Sequence, residues 1–320
     1  MSSAIVCRDL KKTYHARPPV EAVRGIDLDI KTGECFGVLG PNGAGKTTTI
    51  EILEGLLPAT SGEAEILGLR WGRDDTQIRQ RIGVSLQETE LSDKLSVGET
   101  LTLFRSFYDK GISPVEAMKR VSLEEKEKAW IKTLSGGQKQ RLAVATALVG
   151  DPELIFLDEP TTGLDPTSRR ELWDIIRAFR EQGRTVLLTT HYMEEAEQLC
   201  DRVAIFDQGK IIAEDTPANL IRSIGAEHVI EFSIEGPQEN VDRESLLKLP
   251  TAEKVQHDGG QFVLTVGKPH VVLPELIQTL GRENHALTGL TTRQASLEDV
   301  FLQLTGRHLG DEIEQEKDSQ

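Results

Sequence analysis

The sequence is short of basic residues, nearly free of cysteine, and holds no apolar run long enough to cross a bilayer. Each shortage excludes something. Lys and Arg together number 37 against 52 Asp and Glu, a net charge of −15. Affinity for nucleic acid comes mostly from basic surface, so DNA or RNA is not expected as a main partner. The three cysteines, Cys7, Cys35 and Cys200, form no C-x-x-C pair, which leaves no zinc or redox motif. They read as reduced thiols within regular structure. No stretch approaches the roughly 20 apolar residues that a membrane-spanning helix needs, and "MSSAIVCRDLKK" has no signal-peptide core. Action at a membrane would therefore need another chain to cross it.

What is present suits a packed globular protein. The 320 residues are 38% hydrophobic, enough for about two domains with cores. "SAIVCRDL" and "EAVRGIDLDI" read as strands of a separate antiparallel layer. Further on, "CFGVLG", "ELIFLDEP" and "TVLLTTH" are apolar strands alternating with helical stretches, the pattern of a mostly parallel sheet covered on both faces. The pattern from Gln77 to Thr133 is mostly helical, with Ser113, Pro114 and Glu116 suiting a capped helix start. "RVAIF" and "KIIAE" flank a hairpin turn at Asp207-Gln208-Gly209. After Gly225 the style changes to the order β-α-β-β-α-β, a split βαβ unit. Its closing helix starts at a Ser296/Asp299 capping box, carries Leu297, Val300, Phe301 and Leu304 on one face, and stops at Gly306. The acidic tail 307–320 is expected to be disordered.

Four stretches carry chemistry. "GPNGAGKT", Gly40 to Thr47, fits G-x-x-x-x-G-K-[ST] between a strand and a helix. Such a loop wraps phosphates with backbone N–H groups; here Lys46 reaches the β/γ oxygens and Thr47 can ligate Mg²⁺. Asp158 ends a strand where it can hold the Mg²⁺ shell, and Glu159 beside it can orient water and accept its proton. His191 ends a later strand on the same sheet edge and could donate to the γ-phosphate. The fourth stretch, "LSGGQKQRLAVATAL" from Leu134, places Ser135, Gly136 and Gly137 at a helix start, the chemistry of a second anion site.

Taken together, the chain resembles the ATP-binding cassette (ABC) ATPases over about Ile5 to Leu220. "LSGGQ" is that family's signature sequence. The resemblance implies an α/β P-loop NTPase cassette: a mostly parallel sheet core with an N-terminal antiparallel β layer and a helical subdomain, followed by a small C-terminal α+β unit. It implies residues 1–220 as the nucleotide-binding domain and 226–306 as an accessory domain. ATP with Mg²⁺ is the expected ligand, held by Tyr14 against adenine, by Gly40, Pro41, Asn42, Gly43, Ala44, Gly45, Lys46, Thr47 and Thr48, and by Gln87 of the Q-loop. Asp165 matches the D-loop. Ser135, Gly136, Gly137 and Gln138 would complete the site of a second, facing ATP-binding subunit. Mg²⁺ would rest on Thr47, Gln87 and Asp158, with Glu159 and His191 catalytic. The lead-in "ECFGVLGPNGAGKTTTIEILEGLL" resembles the branch that pairs with separately encoded permeases exporting drugs, lipids or polymers. A motor peripheral on the cytoplasmic face of the cell membrane is therefore expected, in a homodimer or with a homologue. The alternative is a soluble cassette ATPase acting on nucleic acid or ribosomes. DNA-repair cassettes insert coiled coils or zinc modules and translation-factor cassettes carry two motif sets; neither feature is seen here. A GTPase would need an N-K-x-D motif, and there is none.

Overall fold

The computed structural model describes residues 2–86, 89–225, 228–235, 241–258 and 261–306. It divides into two compact units, one running to Thr216 and the other beginning at Pro217.

Along the first unit the elements are β1 (Ser3–Tyr14), β2 (Val20–Lys31), β3 (Cys35–Leu39), α1 (Lys46–Glu54), β4 (Ser61–Ile66), α2 (Asp75–Arg79), β5 (Ile82–Ser85), α3 (Val97–Arg105), α4 (Pro114–Arg120), α5 (Gly136–Leu148), β6 (Leu154–Asp158), α6 (Pro166–Glu181), β7 (Thr185–Thr190), α7 (Met193–Leu199), β8 (Arg202–Asp207) and β9 (Lys210–Asp215). Six strands form one sheet in the order β5-β6-β7-β3-β8-β9. All its pairings are parallel except β8 with β9. Strands β3, β6 and β7 are buried at every position, as their unbroken apolar character requires of a sheet covered on both faces. A three-stranded antiparallel sheet, β2-β1-β4, forms the separate layer. Ile5, Leu10, Val23 and Leu28 from this layer share one core with Phe36, Phe156 and Phe206 of the main sheet.

Two strands escaped the sequence reading. The stretch from Gln77 to Thr133 is not uniformly helical: Ile82–Ser85 is the edge strand β5, paired in parallel with β6. Four residues, one of them glycine, carry too short a pattern to separate a strand from helix. Strand β4, "SGEAEI", is mostly exposed and lacks apolar alternation. The start of α4 is capped by Ser113, whose Oγ accepts from the Glu116 N–H at 3.1 Å. The Glu116 carboxylate itself pairs with Arg120 at 3.3 Å, as i,i+4 neighbours can.

The second unit contains α8 (Pro217–Ser223), β10 (His228–Ile234), α9 (Arg243–Leu247), β11 (Ala252–Asp258), β12 (Gln261–Val266), α10 (Pro269–Arg282), β13 (Leu287–Gln294) and α11 (Leu297–Thr305). The strand order β11-β12-β10-β13 is antiparallel throughout, which is the arrangement a split βαβ unit produces. Phe232 and Phe262 stack at 5.1 Å between centroids within a core completed by α9 and α10. Arg293 on β13 forks onto Asp299 of α11 at 2.6 and 2.8 Å and onto Glu231 of β10 at 2.7 Å. Asp299 also accepts the Ser296 N–H at 2.8 Å, so the cap and the sheet are joined by one carboxylate. On α11, Leu297, Val300, Phe301 and Leu302 are buried, whereas Leu304 is exposed. Position 302, not 304, is the covered one. The tail from residue 307 and the Gly259-Gly260 turn lie outside the described residues. Among the described residues no helix is long and apolar enough to cross a membrane.

Phe156 is fully buried in the middle of β6, two residues before the strand delivers its acids. Phe156→Ala is expected to lower the unfolding free energy by about 3–5 kcal/mol, measured by urea denaturation. A loss below about 1 kcal/mol would mean that the sheet core is not what holds β6 in place.

Candidate active site

Ligands of open α/β sheets sit beyond the carboxyl ends of the strands. Here the ends of β3, β6 and β7 lie side by side, with Leu39 beside Thr190 and Asp158 beside Thr189. The chain leaves β3 through the glycine loop and enters α1. Gly40 and Gly45 have φ of 148° and 95°, and a Cβ on either would collide with a backbone oxygen, of Phe206 and Ala22 respectively. The loop thus needs glycine both for its conformation and for the strands that clamp it. Lys46 is buried and donates to the carbonyls of Gly40 and Pro41 at 2.7 and 3.0 Å, so the loop curls around an ammonium. Asn42, Gly43 and Thr47 are exposed, Thr48 partly so, and Ala44 is buried. The first N–H groups of α1 face out of the loop without helical partners, as at every helix start, which makes an anion cradle. Tyr14, at the end of β1, brings its hydroxyl within 3.3 Å of Thr48 Oγ1.

The acids follow from β6. Asp158, the last strand residue, is buried, and its Oδ1 accepts from the Thr189 hydroxyl on β7. Thr189 Oγ1 in turn accepts the Glu159 N–H at 2.9 Å. Glu159 stands at φ 45°, a left-handed conformation that costs a non-glycine residue about 1–3 kcal/mol. That turn aims its carboxylate at His191: Oε2 lies 3.0 Å from His191 Nδ1 and accepts from Thr162 Oγ1 at 3.0 Å. A carboxylate only accepts, so Nδ1 carries the proton in this bond and Nε2 is the nitrogen left for another partner. The two neighbouring acids are driven apart. Burial raises Asp158, with the Glu159 charge adding to it, against the Thr189 bond and the Lys46 charge. Burial also pushes Glu159 up, but the bond and charge of His191, the Thr162 bond and the Lys46 charge hold it below the ordinary range. Neighbouring titratable groups pushed in opposite directions are the arrangement of an acid–base site.

Ser135 is the N-cap of α5. Its Oγ accepts the Gln138 N–H at 3.3 Å and its own N–H donates to Gln138 Oε1 at 3.1 Å. The serine therefore serves the cap as acceptor, and its hydroxyl proton stays available to an anion. Gly136 is open, with no atom within 4 Å of where a Cβ would stand. Gly137 is not: its Cβ would stand 2.5 Å from Ser168 Oγ. Ser168 belongs to α6, whose N-cap is Asp165. That carboxylate accepts from Thr167 N, Ser168 N and Ser168 Oγ at 3.0, 3.1 and 2.7 Å, bonds that hold it below the usual carboxylate range. The start of α5 thus packs closely against the capped start of α6.

The expected residues thus form two groups. Tyr14, the glycine loop through Thr48, Asp158, Glu159 and His191 gather at the sheet edge. Ser135 to Gln138 gather with Asp165 around Ser168. Gln87 lies outside the described residues. For a divalent ion, no group of three His, Cys, Asp or Glu exists among the described residues. Thr47 and Asp158 offer hard oxygens, a donor set that suits Mg²⁺ when phosphate oxygens supply the rest. Sequence reasoning missed three contributors. Thr189 and Thr162 are ordinary hydroxyls with no motif of their own. Glu195 on α7 is fully buried and takes a 3.0 Å bond from Trp173 Nε1; burial raises its carboxyl, opposed by Thr190, Trp173, Thr161 and Arg169.

Residues 23–162 match the family model described as ABC transporter. Residues 218–305 match that of the ATP-binding protein DrrA1-3-like C-terminal domain. The chain is 39% identical to Nod factor export ATP-binding protein I of Cupriavidus metallidurans, covering 97% of this chain and 100% of that protein. It is 36% identical to daunorubicin/doxorubicin resistance ATP-binding protein DrrA of Streptomyces peucetius, covering 98% and 96%. Among solved structures, the dimeric post-hydrolysis state of an ATP-binding cassette bound to ADP and Pi superposes with a TM-score of 0.60 at 28% identity, covering 66% of this chain and 98% of that one.

Because one hydroxyl joins both acids, Thr189→Val is expected to cost about 1–3 kcal/mol, the penalty of leaving buried polar groups unpaired. The check is thermal unfolding beside ATPase rates, with turnover falling in step with the loss of the Asp158–Glu159 alignment. A variant as stable and as active as the wild type would show that the strand register alone aligns the acids.

Proposed function

This chain belongs to the ABC transporter family of ATP-binding subunits, and from that premise we propose how its residues divide the work of an ATPase that powers export. The observation that carries the assignment is the Glu159 carboxylate, pinned between Thr162 and His191 beside the buried Lys46 ammonium. ATP is the substrate. Lys46 and the N–H groups of the glycine loop bind its phosphates, and Tyr14 covers the adenine. Thr47 and Asp158 would hold Mg²⁺, with Gln87 as the third ligand that the family resemblance implies, and the ion would supply charge neutralisation at the phosphates. Glu159, held below the ordinary carboxylate range, is ionised at neutral pH and takes the proton from the attacking water. His191 turns Nε2 to the γ-phosphate because Nδ1 is committed to Glu159.

The second group of residues serves a second chain. In the proposed head-to-tail pair, Ser135 and the first N–H groups of α5 close over the γ-phosphate held by the partner's glycine loop. The openness at Gly136 leaves room for that approach. Asp165 and Ser168 hold the start of α5 in place. The pair is a homodimer or forms with a homologue. A dimeric cassette among the similar structures supports the pairing. Membrane crossing falls to separate permease chains, which contact the groove of about 430 Å³ bounded by α1, α2, β5 and α3; the motor sits on the cytoplasmic face. Relatives named for Nod factor export and for daunorubicin/doxorubicin resistance support export as the direction. The domain boundary falls between the cassette and the unit that begins at Pro217.

Glu159→Gln keeps the shape and one acceptor oxygen for Thr162 and His191 but removes the base. ATP binding is expected to stay within a few-fold of wild type while turnover falls by about 10²–10⁴, and size-exclusion chromatography should show an ATP-retaining dimer. Turnover near the wild-type rate would remove Glu159 from the role of base.

A further inference from the structure

Glu54 is the last residue of α1, and nothing in the nucleotide site uses it. It is only 5% exposed, and neither carboxylate oxygen has a hydrogen-bond partner among the described residues. It lines the 430 Å³ groove together with Leu56, Leu86, Phe107 and Arg79. The three apolar side chains are 61%, 40% and 62% exposed, so the groove opens outward over an apolar rim, with both Glu54 oxygens closed to solvent beneath it.

Three features make that acid costly as it stands. A dehydrated, unpaired carboxylate is among the least favourable groups in a fold. The last turn of a helix carries a partial negative charge, and α1 has no basic residue there to offset it. Burial, with the charges of Asp158 and Glu51, pushes the Glu54 carboxyl up to about 8, so the free chain holds it protonated at neutral pH and an arriving cation displaces that proton. The local field thus favours a cation from outside. The chain's own cation in the groove, Arg79, lies over the Trp71 ring, 5.7 Å from its centroid.

We propose that Glu54 is the receptor for an arginine of the permease, presented on a cytosolic helix whose apolar neighbours cover Leu56, Leu86 and Phe107. Two orphaned oxygens on one carboxylate fit the planar fork of a guanidinium, which bonds both at once. A lysine lacks that fixed planar match, and a single neutral donor leaves one oxygen unpaired. The charge pair then selects which permease this motor accepts, because a permease with an acid or an apolar residue at that point leaves Glu54 buried and unsatisfied. This rests on the proposed motor role and names the chemistry of its partner.

The test uses the full chain co-expressed with its membrane subunit. Glu54→Gln and Glu54→Arg are each compared with wild type for co-purification and for permease-stimulated ATPase. Basal ATPase and ATP affinity of the free chain serve as the check of folding. Glu54→Gln is expected to weaken assembly by about 30-fold or more, with basal activity unchanged. Glu54→Arg is expected to abolish assembly, and an Arg→Glu change at one cytosolic arginine of the permease to restore it. Assembly of Glu54→Gln at wild-type strength overturns the inference and leaves the motor role standing. So does a parallel fall in ATP affinity, which would tie Glu54 to the nucleotide site. Loss of assembly in Arg79→Gln would show that the chain's own arginine is the partner, and also overturns it. A wild-type chain that assembles with no membrane subunit refutes the motor role itself.

Discussion

The Thr189 hydroxyl is the point on which the site depends. It donates to Asp158 and accepts the Glu159 amide, so the parallel register of β6 and β7 is converted into the orientation of two adjacent acids. The left-handed turn at Glu159 follows, since its backbone is held to β7 while its side chain is drawn to His191, the residue after that strand. Lys46 approaches from the β3 side and biases both acids electrostatically. A few hydrogen bonds at one sheet edge thus place two acids and a histidine with one committed nitrogen, the groups to which we assign the ion, the water and the phosphate. The buried Glu195 and Trp173 pair α7 with α6, which ties the helix that follows the histidine to the helix that Asp165 caps.

Much of this was legible in the sequence because the groups concerned sit at ends of elements that announce themselves. Unbroken apolar runs mark β3, β6 and β7, and the residues that follow them fall on one edge by topology alone. Ser135 could be read as a helix start because capping is local chemistry, and the hairpin at Gln208-Gly209 because its turn residues are. What stayed hidden is set by tertiary contact. Strand β5 is recognisable only through its pairing with β6. Leu304 and Leu302 exchange places on α11 because the unit's core, not helical spacing, decides which is covered. Thr189, Glu195 and Glu54 look like ordinary polar residues until burial and missing partners single them out.

The glycines of the signature stretch are not equivalent. Gly137 is small because Ser168 occupies the space where its side chain would be; Gly136 is small with nothing of its own chain beside it. The first is explained within the chain. The second leaves the space that the proposed facing subunit would use, and the hydroxyl proton of Ser135 suits the anion it would bring. The same logic applies at Glu54, where the proposed visitor is a cation. In both places the proposed partner would meet what the chain leaves open.

The claim that each chain completes its partner's site is tested most directly by a mixed dimer. One chain carries Lys46→Ala and the other Gly136→Asp, a position where an added Cβ meets nothing beyond its own helix. Both carry Glu159→Gln to arrest turnover, and bound ATP is counted after rapid desalting. If the signature serves the partner's loop, both lesions fall on one site and the other is intact, so one ATP is retained per mixed dimer and none by either mutant homodimer. If the mixed dimer is intact yet retains none, the signature serves its own chain and the shared-site account is wrong.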